Sequence, residues 1–134
     1  MIMDTVTFTA RGHPNIHAAH DRTFEFTKEE HCTPQGDCIV GVSATFTCEQ
    51  LKPLLRAAQI KITMRCGALE EVVSAVPNPD FAHPSEFVVR IGEFSSDRTF
   101  AIRANKAASD FSPAFRTALR DSAAMITVTI TANP

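Results

Sequence analysis

Tryptophan and tyrosine are absent from this 134-residue chain. Their absence removes the amphipathic aromatic anchors common at interfaces, although ten phenylalanines can still fill a core or stack on bases. No apolar run approaches the roughly 20 residues of a membrane span, so no spanning helix is expected. The four cysteines, Cys32, Cys38, Cys48 and Cys66, have no C-x-x-C spacing. With no apolar leader segment either, free thiols and a cytoplasmic location are expected. A net charge of −2 and a pI near 6.2 give no general electrostatic reason to bind nucleic acid or an anionic membrane. P-loop and Rossmann glycine fingerprints are also missing.

What is present is internal similarity. PNIHAAHDRTFEFTK (14–28) aligns with PNPDFAHPSEFVVRI (77–91) at a shift of 63, with Pro14/Pro77, Asn15/Asn78, Ala19/Ala82, His20/His83 and Phe24/Phe87 identical. DCIVGVSATFTCEQLKPLLRAA (37–58) aligns with DRTFAIRANKAASDFSPAFRTA (97–118) at a shift of 60, sharing Asp37/Asp97, Ala44/Ala104, Pro53/Pro113, Arg56/Arg116 and Ala58/Ala118. IKITM (60–64) then matches ITVTI (126–130). The pattern predicts two tandem half-domains, about 4–66 and 67–132, duplicated around a pseudo-two-fold axis. Each half is near the size at which independent stability becomes marginal, so one shared core is expected. Residues shared by the halves then point to scaffold, and unshared polar ones to function.

Periodicity supplies the elements. TVTFTAR (5–11) alternates as a half-buried strand, as do Phe24 and Phe26 around Glu25, and IKITMRC. CIVGVSA (38–44), entered from the Pro34-Gln35-Gly36-Asp37 turn, reads as a central strand. Thr47 and Gln50 have capping-box spacing ahead of Leu51, Leu54, Leu55 and Ala58, and Pro53 marks a break or restart. Ser112-Pro113 pairs an N-cap with a first-turn proline before Phe115 and Leu119, a start that could apply in both halves. With LEEVVSAV, EFVVRI, RTFAIRA and MITVTIT as further strands, the prediction is β-β-β-α-β twice. That is an α+β domain, mostly β, with two helices on mixed sheets or a distorted barrel.

The polar residues concentrate early. Arg11, His13, Asn15, His17, His20, Arg22, Glu25, His31, Gly36, Asp37 and Cys38 lie within 28 positions. His20 and Asn15, matched in the second half, suit turn bracing by side-chain to backbone hydrogen bonds, and both are also ligand-contact candidates around a small pocket. His13, Arg22 and Glu25 have no such match. His13 is the acid/base candidate, with Asp37 as its orienter, and Arg11 or Arg22 as anion contact. Cys38, opening a strand after a turn, is either a nucleophile or a small buried hydrophobe. Glu25 is a second acid/base candidate, with a raised pKa if it faces inward, but the alternation sets it opposite the two phenylalanine rings, where it is expected to be solvated. Gly36, like Gly12, permits close backbone approach to an anion. A divalent metal on His13, His17 and His20 stays open, although intervals of 4, 3, 11 and 7 through His31 to Cys38 fit no finger, ribbon or helical site. In the second half, Arg98, Arg103, Lys106, Arg116 and Arg120 give local basic character that could meet RNA, though a solvated face is the more frequent explanation of such charges. Exposed sheet edges leave a protein partner or homo-oligomer open.

Arg11-Gly12-His13-Pro14-Asn15, then His20, Thr23, Glu25 and Thr27, then Thr33, Gly36-Asp37-Cys38-Ile39 and Gly41-Val42 resemble the signature of domain-of-unknown-function family 371, a group of small, mainly archaeal proteins. Asp97-Arg98-Thr99, Ala104, Lys106-Ala107-Ala108 and Asp110 are similar to the family's second block, so the resemblance spans nearly the whole chain. Cys32 departs from it, standing where an aliphatic residue is expected. The resemblance implies a fold and a conserved surface, and it carries no assigned activity. The sequence therefore predicts binding or turnover of a small polar or anionic metabolite at the early cluster, with a noncatalytic RNA- or protein-binding module as the alternative.

Overall fold

The computed structural model describes residues 4–133. Strands β1 (Thr5–Arg11), β2 (Thr23–Thr27) and β3 (Ile39–Gly41) precede helix α1 (Cys48–Leu51) and strand β4 (Gln59–Cys66). Strands β5 (Leu69–Pro77), β6 (Glu86–Arg90) and β7 (Thr99–Ile102), helix α2 (Pro113–Ala118) and strand β8 (Met125–Asn133) follow. The order is the expected α+β, mostly-β one. Two details differ. The run from Cys38 gives a short strand rather than a long central one, because Val42 leaves β2 to bridge Arg11 of β1 and Ser43 turns away at φ 51°. In the first half the helix starts at Cys48, where the Thr47 hydroxyl accepts the Gln50 N–H at 3.0 Å. Pro53 sits instead in a 3-10 turn, Lys52–Leu54, that continues from it, since a ring without an N–H cannot prolong the α-helical ladder. In the second half Ser112 does cap the helix, accepting from the Phe115 N–H at 3.2 Å.

The strands form one mixed sheet in the order β1-β8-β4-β5-β7-β6-β2-β3. All ladders are antiparallel except β2 with β3 and β6 with β7. The terminal strands meet through the Arg11–Val42 bridge, with backbone hydrogen bonds of 2.7 and 2.8 Å, and the Thr45 N–H reaches the Thr9 carbonyl at 2.9 Å. Exchanging β1 to β4 for β5 to β8 maps every ladder onto a ladder except β5 with β7, whose counterpart is the single Arg11–Val42 bridge.

Alternation turns one face of the curled sheet into the core. Nine of the ten phenylalanines are buried, Phe94 alone being exposed. Phe87 stacks on Phe100 at 4.3 Å between ring centroids, and Phe8 meets Phe26, Phe46 and Phe87 edge-on at 5.3 to 5.6 Å. Such pairs add about 0.5–1.5 kcal/mol each beyond their burial. β4 and β8, joined by the longest ladder, contribute Ile60, Ile62, Met64, Ile126, Val128 and Ile130, all fully buried.

Gly12 fixes where β1 leaves the sheet. Its N–H donates to the Ala124 carbonyl at 3.0 Å, and a methyl placed on it would lie 2.6 Å from the Leu119 oxygen and closer still to that of Asp121. Gly67, in the β4–β5 turn at φ +61°, has open space around it. Urea denaturation is expected to give a loss of at least about 2 kcal/mol for Gly12→Ala, where backbone must move. Gly67→Ala, which meets only local strain, should lose about 1 kcal/mol.

Candidate functional site

The antiparallel register of β2 and β6 sets Glu25 opposite Val88, Thr23 opposite Arg90 and Thr27 opposite Glu86. Phe24, Phe26, Phe87 and Val89 point inward and are fully buried, so the pleat sends these six outward together. The flanking parallel strands complete the face in matching fashion. The Glu25 N–H donates to the Cys38 carbonyl at 2.9 Å, and the Val88 N–H to the Arg98 carbonyl at 3.0 Å. Glu25 and Val88 correspond in the repeat alignment, as do Cys38 and Arg98. Unshared residues thus converge where the two halves meet.

Shared residues hold the loops around them. The His20 Nδ1 accepts the Arg22 and Thr23 N–H groups at 3.1 and 3.2 Å, and the His83 Nδ1 accepts those of Ser85 and Glu86 at 3.2 and 2.9 Å. The Asn15 amide donates to the Cys32 carbonyl at 3.0 Å, while that of Asn78 donates to the Thr99 carbonyl at 2.8 Å. Side chains that satisfy turn amides in this way replace a ladder the turn cannot form.

Glu25 is not solvated as the alternation suggests: it is 5% exposed. The outer face of β2 is covered by Cys38, Arg98 and Glu86, which a two-residue period cannot foresee. The Glu25 carboxylate has thin support, with the Cys38 thiol at 3.9 Å and an Arg98 nitrogen at 3.8 Å. Arg98 is held more closely by Glu86, at 3.2 Å, and the His83 Nε2 lies 3.4 Å from the other Glu86 oxygen. Burial first, then the neighbouring Glu86 charge, raise the Glu25 pKa from 4.5 to about 7 against the opposing pull of Arg98. The same burial, with Glu25 and Asp37 nearby, pushes the Cys38 thiol to about 11. A thiol so reluctant to ionise is a poor nucleophile at neutral pH, which leaves Cys38 as a weak donor facing Glu25. Desolvation and the Arg98 cation lower the Arg90 pKa, and the Arg90 Nε donates to the Thr99 hydroxyl at 3.1 Å. A carboxyl that titrates near pH 7 beside two guanidinium groups can exchange a proton with a small bound anion or hold that anion when protonated.

The remaining sequence candidates lie in other surroundings. The His13 Nδ1 accepts the Asn15 N–H at 3.0 Å and its ring sits edge-on to His31 at 6.0 Å. The Asp37 carbonyl receives the Ala19 and His20 N–H groups at 2.9 and 3.2 Å. Asp37 borders Cys38 through its charge but is not joined to His13 by a hydrogen bond among the described residues. Arg11 is exposed beyond its backbone bridge. Arg22 lines a small cavity of about 110 Å³ with Thr23, Arg90, Gly92 and Phe94, at the edge of the Glu25 face. Gly36 serves the turn before β3, receiving Ile39 at 3.1 Å. His17 is exposed beside α2. No three His, Cys, Asp or Glu side chains gather as a metal-holding group among the described residues. Of the basic set, Arg103 pairs with Glu93 and Lys106 with the buried Glu71 at 2.8 Å. Arg116 and Arg120 donate to the Ala18 and Pro14 carbonyls at 2.9 and 3.3 Å. Arg98, Glu86, Arg90 and His83 join the site from the second half. The signal that could have found them was the alignment of Arg98 with Cys38 and of Glu86 with Thr23.

The model of the domain of unknown function DUF371 matches residues 8–133. An uncharacterized protein of Methanocaldococcus jannaschii is 35% identical over 108 residues, covering 75% of this chain and 80% of that protein. The chain belongs to the DUF371 family. No helix among the described residues is long and apolar enough to cross a membrane.

Because the folded-state pKa of Glu25 lies above its ordinary value, the folded chain binds this proton more tightly between about pH 4.5 and 7. Its contribution to stability is therefore greatest at low pH, declines through that window and is constant above it. Urea titrations of wild type and Glu25→Gln are expected to show a stability difference that moves by on the order of 3 kcal/mol in favour of the variant between pH 4.5 and 8. A pH-independent difference would place the Glu25 pKa at its ordinary value.

Proposed function

We propose that the outer face of β2 and β6 binds a small polar anion and exchanges a proton with it. The supporting observation is a buried carboxyl, Glu25, with long contacts to the Cys38 thiol and Arg98 at 3.9 and 3.8 Å, the Glu86 carboxyl as a neighbour and a pKa near 7, set beside Arg98 and Arg90. Glu25 is the proton carrier. Arg98 and Arg90, with Arg22 at the margin, supply the anion contacts, and Cys38 and Thr99 line the floor. His13, Asp37, Asn15, His20 and Gly36 support the loops that border this face, and Arg11 lies outside it. An RNA-binding module has less support, since Arg103, Lys106, Arg116 and Arg120 already hold partners within the chain.

Calorimetry with inorganic phosphate, acetate and succinate tests the reading. An anion seated beside Glu25 favours its protonated form, so binding at pH 7 is expected to take up a proton, read from the buffer dependence of the enthalpy. Glu25→Gln should abolish that uptake, and Arg98→Ala should weaken binding at least tenfold. Absence of saturable binding by all three anions, or binding unchanged in both variants, overturns the proposal.

A further inference from the structure

A second cavity, of about 380 Å³, lies between α1 with its 3-10 turn and the loop that follows β5. Its volume falls within the range of small-molecule sites. Leu55 and Phe81, 7% and 4% exposed, form an apolar floor, and Lys52 and Arg56 stand exposed at the rim. Cys48 ties the two walls together, its thiol donating to the His83 carbonyl at 3.1 Å. Lys52 has a single ion pair, to Glu49 at 3.7 Å with both side chains largely in water, which contributes little. Arg56 makes no hydrogen bond or ion pair among the described residues.

The matching groove on α2 explains what is unusual here. That groove, about 290 Å³, is lined by His17, Ala19, Pro113, Arg116, Thr117 and Arg120. Arg116 aligns with Arg56, but its Nε is occupied by the Ala18 carbonyl at 2.9 Å. The residue aligned with Ala18 is Phe81, a buried ring that lines the α1 groove as its apolar floor. The same arginine is therefore a loop clamp in one half and an unpartnered cation over an apolar pocket in the other.

We propose that the α1 groove binds a small amphiphilic anion, with its carboxylate or phosphate head on Arg56 and Lys52 and an apolar tail or ring on Phe81 and Leu55. A guanidinium fork suits either head group, and the floor suits only a ligand with apolar surface. This site is separate from the Glu25 face. Octanoate and octyl phosphate distinguish the two heads, while acetate and 1-octanol each lack one half of the ligand. Calorimetry is expected to find one saturable site for at least one of the two amphiphiles, at least tenfold tighter than acetate or octanol. The Lys52→Ala/Arg56→Ala variant should lose at least tenfold in affinity, and Arg116→Ala should retain wild-type binding. Bound amphiphile should also slow alkylation of Cys48 by iodoacetamide, followed by mass spectrometry of its peptide. Equal affinity for octanol, binding unchanged by the double substitution, loss of binding in Arg116→Ala, or no protection of Cys48 would each overturn the proposal.

Discussion

The filling of the curled sheet by phenylalanine sets the terms for everything else in this protein. Without tryptophan or tyrosine, the chain closes its interior with rings that carry no polar atom and need no buried partner. Phe8, Phe26, Phe46, Phe87 and Phe100 interlock at centroid separations of 4.3 to 5.9 Å. Once Phe24 and Phe26 on β2 and Phe87 on β6 face inward, the pleat leaves their neighbours no choice of side. Glu25, Glu86 and Arg90 must share the outer face. A one-residue slip of β2 would place a carboxylate in the aromatic core, so the core enforces the register that assembles the polar face.

The loops are fixed by side chains rather than by long helices. Both helices are short, four and six residues, too short to be stable by propensity alone. They persist because tertiary contacts complete them. The buried Glu71 receives the Lys106 ammonium and the Ser112 N–H, each at 2.8 Å, tying β5 to the start of α2. Asp110 accepts the Ala107 N–H at 2.9 Å just before it. Removing one partner from such a buried group costs far more than the pair contributes net. This accounts structurally for Lys106 and Asp110, two residues that drew attention in the sequence for charge and resemblance.

Much of the fold was legible because period-two alternation is unambiguous in β1, β4, β5 and β8, each with one face in the core. The site was legible only in part. Comparing the halves singled out Glu25, and Cys38 stood beside it in the early cluster, both of which reach the central face. It could not bury Glu25, because the cover comes from Arg98 and Glu86, more than 60 residues away in sequence. Proximity in sequence also grouped His13 with Asp37. The chain folds His13 back onto its own Pro-Asn turn, against Leu119 at the end of α2, while the Asp37 backbone receives the amides that end the next loop. Density of polar residues along a chain is thus a weaker guide than their correspondence across the two halves.

The balance of charges explains why Glu25 stays near neutrality in its pKa despite a guanidinium at 3.8 Å. A unit charge at that distance is worth about 4 kcal/mol at an effective dielectric of 20, enough alone to hold a carboxyl well below its ordinary range. Arg98 does not act alone. Glu86 lies closer to it, at 3.2 Å, so Glu25 faces a nearly neutral pair, and the like charge of Glu86 outweighs the attraction of Arg98. Burial of the carboxylate, the largest effect, raises the pKa in the same direction. The arrangement makes Glu86 as important to the acidity of Glu25 as Arg98 is. His83, 3.4 Å from Glu86, joins this balance as a third group, and through its carbonyl it also holds Cys48 at the wall of the α1 groove. One braced turn therefore orders the electrostatics of the central face and the shape of the neighbouring pocket.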